Sequence, residues 1–283
     1  KIDVIPYGVD HDVFKPAEDK IKATKKVCSK FYLKKTPYFV HISESNWARK
    51  NTIRLFEAFK KARSAGIPHN LIVIGRNHQL IHKKAQEISG IIMCGYVKEK
   101  DMIEIIQGAD ALLLPSIHEG FGLPLVEAMS CGVPSITSDI FSPPEIMKDA
   151  GLFADPYSVS DISEKIIKFA KNKKLQEDLS KHALERSQYF SWAKTAEKLL
   201  KLFQKNTENE LDNDFDADYD SAAYRTLVTV CQIHPHLKNQ TRQDLLEMNY
   251  TKIINWAVTV GLEDGYVKDY LIPLTKWLEE HYK

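Results

Sequence analysis

The chain has 283 residues, 43% hydrophobic and 27% charged, enough for one large or two ordinary domains with a real core. Its formal net charge of +1 gives no global pull on nucleic acid or an anionic membrane, and no apolar stretch reaches the roughly 20 residues that span a bilayer. Cys28, Cys94, Cys131 and Cys231 are too scattered for a zinc ladder or a redox pair, and read as buried thiols of a reducing, cytoplasmic compartment. The start Lys1-Ile2-Asp3-Val4-Ile5-Pro6 has no signal-peptide character, and without an initiator Met we expect a piece of something longer.

Residues 1–16 read as a short strand and a turn. Residues 20–35 are basic and predicted helical, with Ile21, Val27, Phe31 and Leu33 as packing points. From Tyr38 the pattern is regular: a strand over 38–43, then a helix over 51–65 whose Ile53, Phe56, Phe59 and Ala62 recur at helical spacing. The apolar run Leu71-Ile72-Val73-Ile74 ends at Gly75, a helix covers 80–88, and Ile91-Ile92-Met93-Cys94 ends at Gly95. A helix over 98–108, a strand over 111–114, a helix after Gly122 and a strand over 134–137 continue the alternation. Short all-apolar strands alternating with amphipathic helices give a parallel sheet covered on both faces, a doubly wound, Rossmann-like α/β domain.

A proline-rich turn at Ser142-Pro143-Pro144 follows, then a strand at Leu152-Phe153-Ala154 and a helical stretch over 159–204. Phe190-Ser191-Trp192 reads as a break in it, with Ser191 as the next N-cap. No basic residue lies between Lys205 and Arg225, while Glu208, Glu210, Asp212, Asp214, Asp216, Asp218 and Asp220 repel one another, the composition of a linker. Three helices are expected beyond it, near 222–233, 243–260 and 266–281. The organisation is therefore a Rossmann-like domain over 1–205, a linker over 206–218 and a small all-α domain over 219–283.

Ligands of such sheets bind beyond the carboxyl ends of the strands, so the loops after Ser43, Gly75, Gly95 and Pro115 should converge on one crevice. One of these loops carries His118-Glu119-Gly120-Phe121-Gly122-Leu123-Pro124-Leu125-Val126-Glu127, two carboxylates separated by seven residues around a glycine turn. Pro124 suits a first helical turn, where its missing N–H costs nothing. A strand end, a glycine turn and a helix start bring unpaired N–H groups and a positive helix end to one point, a place to hold phosphate.

These residues carry a resemblance. From Ile2 to about Phe203 the chain resembles the carboxyl-terminal, nucleotide-sugar-binding domain of retaining glycosyltransferases of the GT-B fold, family 4. The carriers are Ile5-Pro6-Tyr7-Gly8-Val9-Asp10, Arg49-Lys50-Asn51, Gly95-Tyr96-Val97, Ala109-Asp110-Ala111, Leu114-Pro115-Ser116, the Glu119 to Glu127 motif, Cys131-Gly132-Val133-Pro134 and Phe190-Ser191-Trp192, in that order. The resemblance implies the donor half of a two-domain enzyme, which works with a missing amino-terminal GT-B domain and does not turn over alone. It implies no cofactor and no metal. The substrate would be a nucleotide-sugar such as GDP-mannose or a UDP-sugar, and the acceptor a glycan or lipid-linked molecule, with the full enzyme cytoplasmic at the inner face of the membrane and no nucleic-acid partner.

By the same resemblance Lys50 binds the donor phosphates, while the arginine usual about six residues earlier is replaced by Glu44 or a neighbour, with Arg49 as substitute. Glu127 takes the ribose hydroxyls, a vicinal diol that one carboxylate can accept. Glu119 contacts the donor sugar. Gly120, Phe121 and Gly122 bring backbone N–H groups to sugar and diphosphate. Tyr96 and Val97 receive the base, and Arg76 reaches the phosphates. Ser142-Pro143-Pro144-Glu145 stands where the family has a glycine-rich turn, and the prolines should stiffen it.

Other readings compete. Two carboxylates also suit a glycosidase, although a phosphate-binding turn between them disfavours it. A non-catalytic binding or assembly module, or a GT-B epimerase or phosphorylase, would share the fold. His234-Pro235-His236 has no companion ligands at a metal spacing and reads as loop, and Trp256 and Trp277 read as core.

Overall fold

The computed structural model describes residues 4–31, 37–43, 48–76 and 78–211, with side chains through residue 202. Glu44, Leu33, Cys231 and the three helices expected beyond residue 219 lie outside the described residues. Residues to Leu199 form one compact unit, and Leu200–Lys283 a second, of which the end of the last described helix is seen.

Six strands form one parallel sheet: β1 (Tyr38–Ile42), β2 (Asn70–Ile74), β3 (Ile91–Gly95), β4 (Ala111–Leu114), β5 (Ser135–Ser138) and β6 (Gly151–Ala154), in the order β3-β2-β1-β4-β5-β6. The continuous apolar runs have the meaning expected of them. Every residue of β1 and β4 is buried, because helices cover both faces. Side chains alternate between two cores with the strand period of two. Val40, Ile72, Leu112 and Leu114 enter the core formed with α1 (Lys20–Lys30), α4 (Glu99–Gly108) and α5 (Leu123–Ser130). Phe39, Leu71, Val73 and Leu113 enter the other, with α2 (Thr52–Ser64), α3 (Gln79–Gln86) and α7 (Val159–Lys171).

The remaining helices are α6 (Ser142–Met147), α8 (Lys173–Ser187) and α9 (Trp192–Leu211). The helical stretch breaks at the expected place, and the Ser191 carbonyl accepts the first turn's bond from Thr195 N.

Four expectations need correction. Of the strand expected in 1–16, the described residues form only an isolated bridge between Val9 and Ser191. That segment is instead tied to the α8–α9 junction: the Thr195 hydroxyl donates to the Pro6 carbonyl at 2.8 Å, and His11 Nε2 lies 3.0 Å from the Phe190 carbonyl. Ile21 is 68% exposed rather than packed, since six residues of helix leave it about 240° round from buried Val27. Cys94 is half-buried, because β3 is an edge strand, whereas Cys28 and Cys131 are buried. The proline-rich turn at residues 142–144 is the start of α6. Prolines fit there because the first N–H groups of a helix lack intrahelical partners in any case.

Two motifs far apart in sequence explain each other. A Cβ on Gly8 would lie 2.1 Å from Trp192 N and 2.5 Å from Ser191 C, so the Tyr7-Gly8-Val9 segment seats against Phe190-Ser191-Trp192 only with glycine at its centre. Gly8→Ala is expected to destabilise the domain by about 2 kcal/mol or more through forced backbone displacement. Chemical denaturation checks this; an unchanged midpoint would contradict it.

Candidate donor-binding site at the sheet's switch point

The chain leaves β1 into α2 on one face and leaves β4 into α5 on the other. These two strands are neighbours, so the sheet's winding reverses between them and their exit loops part to open a crevice. The Lys50 loop follows β1, and the Glu119 loop follows β4.

The first loop is held from below. His41 Nδ1 lies 2.8 Å from the Leu113 carbonyl, which can only accept, so the proton belongs on Nδ1 and Nε2 accepts from the Thr52 hydroxyl at 3.0 Å. Thr52 in turn lies 2.9 Å from the Ser43 hydroxyl. Burial pushes the His41 imidazole down to about 4, with nearby Lys50 adding to the effect against the pull of the Leu113 carbonyl. Asn51 caps α2 in the left-handed region, φ 59°, which Asn tolerates better than most residues. Its Nδ2 donates to the carbonyls of Pro115 at 2.9 Å and Pro156 at 2.6 Å, and its Oδ1 accepts from Arg54 at 2.6 Å. Ile117 N donates to the Arg49 carbonyl at 2.9 Å. The two exit loops are thus stitched together.

Across that seam the structure joins three of the expected site residues. Lys50 Nζ donates to Glu119 Oε1 at 2.8 Å, with Lys50 6% and Glu119 7% exposed. Arg49 Nη1 donates to Glu119 Oε2 and to the His118 carbonyl, both at 3.0 Å, from a half-exposed position. Burial opposes ionisation of Glu119, but the hydrogen bond and charge of Lys50, then Ser116 and Arg49, outweigh it and hold its carboxyl below the ordinary range. Within this cluster two cations face one carboxylate. An ammonium has three donors, and Glu119 takes one of those on Lys50.

Gly122 caps α5 with φ 90°, and Pro124 lies in the first turn. Gly120 is exposed, and a Cβ built on it would meet nothing within 4 Å. The Phe121 ring turns away into the core, edge-on to Tyr7 at 5.2 Å and to Phe190 at 5.8 Å.

Glu127 follows one turn into α5. Burial, with the charge of Glu99 adding and Lys50 opposing, pushes its carboxyl up to about 7. The carboxylate has no hydrogen bond or ion pair to another described residue. Glu99 opens α4 directly after Tyr96-Val97-Lys98, so its influence places the loop after β3 beside Glu127. Val97 packs on the core that holds Leu125 and Val126, while Tyr96 stays exposed. Arg76 lies 5.3 Å from the Tyr96 ring centroid, so these two form a pair at the exits of β2 and β3. Among the described residues no group of three or more His, Cys, Asp or Glu could hold a metal.

A model of the family described as glycosyl transferases group 1 matches residues 28–186, more than half of the chain. The chain belongs to the glycosyl transferases group 1 family. It is 31% identical over 204 residues to the O-antigen chain mannosyltransferase B of Escherichia coli, covering 64% of this chain and 53% of that protein. The chain therefore spans about half the length of that relative. Among solved structures it is similar to the C-terminal domain of a glycosyl transferase group 1 family protein, LpcC, from Francisella tularensis, with TM-score 0.56, 23% identity and coverage of 64% of this chain and 97% of that one. It also resembles Anabaena HepE, solved in complex with UDP and glucose, with TM-score 0.64, 16% identity and coverage of 72% and 57%. These likenesses show the fold, a Rossmann-like sheet of the GT-B type.

In this glycosyltransferase domain the expected acid and cations, 69 and 70 residues apart in sequence, meet in one contact. Sequence reasoning also missed Asn51, Glu99 and the His41–Thr52–Ser43 relay. An Asn directly before a helix that bears no other cap was the available signal for Asn51. The relay carried none, since a lone His in an apolar run reads as core.

Proposed function

We propose that this domain is the donor-binding half of a retaining glycosyltransferase that moves a sugar from a nucleoside diphosphate to an acceptor hydroxyl in glycan or polysaccharide synthesis. The observation that carries this is the Arg49–Lys50–Glu119 cluster at the switch point, beside exposed main chain at Gly120 and a helix start at Gly122. Such an arrangement suits a diphosphate. Lys50, Arg49 and backbone N–H groups would meet negative charge as it develops on the leaving phosphate. Glu127 would accept the ribose diol and Glu119 a hydroxyl of the sugar, with the base over Tyr96 and Val97 and Arg76 beside it.

In a retaining transfer of this kind the bond from the anomeric carbon to the diphosphate oxygen breaks on the face where the acceptor oxygen then bonds. The leaving phosphate takes the acceptor's proton, so no protein base is needed there. Acceptor recognition falls to the amino-terminal GT-B domain, so the chain alone binds donor without turnover. The mannosyltransferase relative makes GDP-mannose our first choice of donor, and UDP named in the HepE complex keeps UDP-sugars as the alternative. We assign the donor domain to residues 1–205, the linker to 206–218 and a helical domain to 219–283. Among the described residues no helix is long and apolar enough to cross a membrane; peripheral membrane association of the full enzyme is part of the proposal.

Calorimetric titration of the folded chain with GDP, UDP and ADP tests the donor assignment. One of them should bind with saturation. Heat-silent titrations, with no change in melting temperature for any nucleotide, would contradict it.

A further inference from the structure

The exit of β5 holds an aromatic residue that the fold alone does not ask for. Phe141 has φ 60° and ψ −138°, a region that L side chains rarely adopt and that glycine enters freely. Its ring is 59% exposed, so burial does not offset the strained backbone. Its neighbour is His118, with ring centroids 4.6 Å apart and planes tilted by 54°. His118 is itself held in place, because its carbonyl accepts from Arg49. The residue after Phe141 is anchored to the same loop: the Ser142 hydroxyl lies 3.0 Å from the Glu119 carbonyl and 3.1 Å from the Phe121 carbonyl. A strained, exposed aromatic residue fixed beside a cluster of buried charges is an outlier that points to function.

We propose that Phe141 and His118 form a platform on which a pyranose ring stacks, its apolar C–H face against the aromatic rings and its hydroxyls toward Glu119. This rests on the donor-site reading. A pyranose presents axial hydrogens on any ring face free of axial hydroxyls, with the other hydroxyls around its rim, and an aromatic surface next to a carboxylate matches both. The sheet order gives the placement. Tyr96 follows β3 and Phe141 follows β5, with β2, β1 and β4 between those strands. Four strand spacings separate the two exits, roughly 19 Å. An extended sugar nucleotide laid along the crevice would thus have its base near Tyr96, its diphosphate at the Lys50–Glu119 seam and its sugar at Phe141. The platform sets preference among sugars by which ring face is free of axial hydroxyls.

The test compares the parent chain with Phe141→Gly and Phe141→Tyr by calorimetry, using GDP and GDP-mannose, then UDP and UDP-glucose, with saturation-transfer NMR of methyl α-mannopyranoside as a separate arm. If the ring is the donor's, the parent binds the sugar nucleotide more tightly than the nucleotide. Phe141→Gly removes about tenfold or more of that gain while leaving nucleotide affinity within about twofold, and Phe141→Tyr keeps it. If the ring is the acceptor's, the methyl glycoside shows transfer with the parent and Phe141→Tyr and loses it with Phe141→Gly. Phe141→Gly should also melt no lower than the parent, since glycine relieves the backbone, whereas a packing role alone would lower it. Equal sugar dependence in parent and Phe141→Gly, or no sugar dependence in either arm, overturns the platform. Loss of nucleotide binding in the parent overturns the donor-site reading instead, and the glycoside arm then decides the platform by itself.

Discussion

Lys50→Ala is expected to destabilise the folded domain by about 3 kcal/mol, against about 1 kcal/mol or less for Arg49→Ala. Removing Lys50 strands the Glu119 carboxylate in a buried position, and breaking a buried pair costs more than the pair contributes over a neutral replacement. Arg49 is half-exposed, and solvent screens its share. The sign with pH follows from Glu119, whose folded carboxyl is held below its ordinary value of 4.5. Its pairing therefore contributes stability above the unfolded pKa and loses it as the pH falls through the folded one. The gap between Lys50→Ala and the parent should be full at pH 7 and shrink below about pH 4.5. Urea denaturation across that range measures it. A gap unchanged with pH, or Arg49→Ala matching Lys50→Ala, would show that the buried pair is not what holds this loop.

Glu127→Gln should act in the opposite direction on stability. Between its unfolded value of 4.5 and about 7 in the fold, the native state binds the Glu127 proton more tightly than the unfolded chain does. Rising pH therefore destabilises the domain across that window, by up to about 3 kcal/mol once the pH passes 7. Glutamine has no charge to bury, so the variant should be the more stable protein at pH 8 and converge on the parent below about pH 4.5. Function should move the other way. If ribose hydroxyls donate to Glu127, nucleotide binding draws the carboxyl into its ionised form and releases about one proton at pH 6 and little at pH 8.5. Glu99, Lys50 and Cys131 are the titratable groups that share this electrostatic neighbourhood, and burial together with Glu127 pushes the Cys131 thiol up to about 12, so it stays neutral throughout. Calorimetry in buffers of different ionisation enthalpy reads the proton directly. A variant less stable than the parent at pH 8, or equal proton release at both pH values, would remove Glu127 from this role.

We read Glu127, destabilising where it stands, as held there for a ligand. Lys50 and Glu119 differ from it: each stabilises the other across the crevice, and a diphosphate and sugar would compete for the same donors and acceptor.

The sheet was legible because central strands such as β1 and β4 are buried on both faces and so read as largely or wholly apolar runs, Tyr38 to Ile42 broken by His41 and Ala111 to Leu114 unbroken. Helix phase was less legible. Ile21 is as apolar as Val27, and the turn on which each falls is decided by where α1 meets α4. Pro143 and Pro144 read as a turn because proline breaks helices in their interior, and only the structure shows that they begin one. The glycine motif marked one wall of the site. That Lys50 reaches Glu119 is a consequence of β1 and β4 lying side by side, and spacing along the chain does not carry strand order. Phe141 carried no signal at all, because its meaning lies in a backbone angle and a neighbour 23 residues away.

The most direct test of the account is amide NMR of the isotopically labelled chain titrated with GDP and with UDP. Binding is expected to shift the amides of Arg49, Lys50, Gly120, Phe121 and Gly122 together, on both sides of the β1–β4 crevice, with Tyr96 and Val97 moving as well. Saturable binding whose shifts leave the residues after β1 and β4 untouched would contradict it.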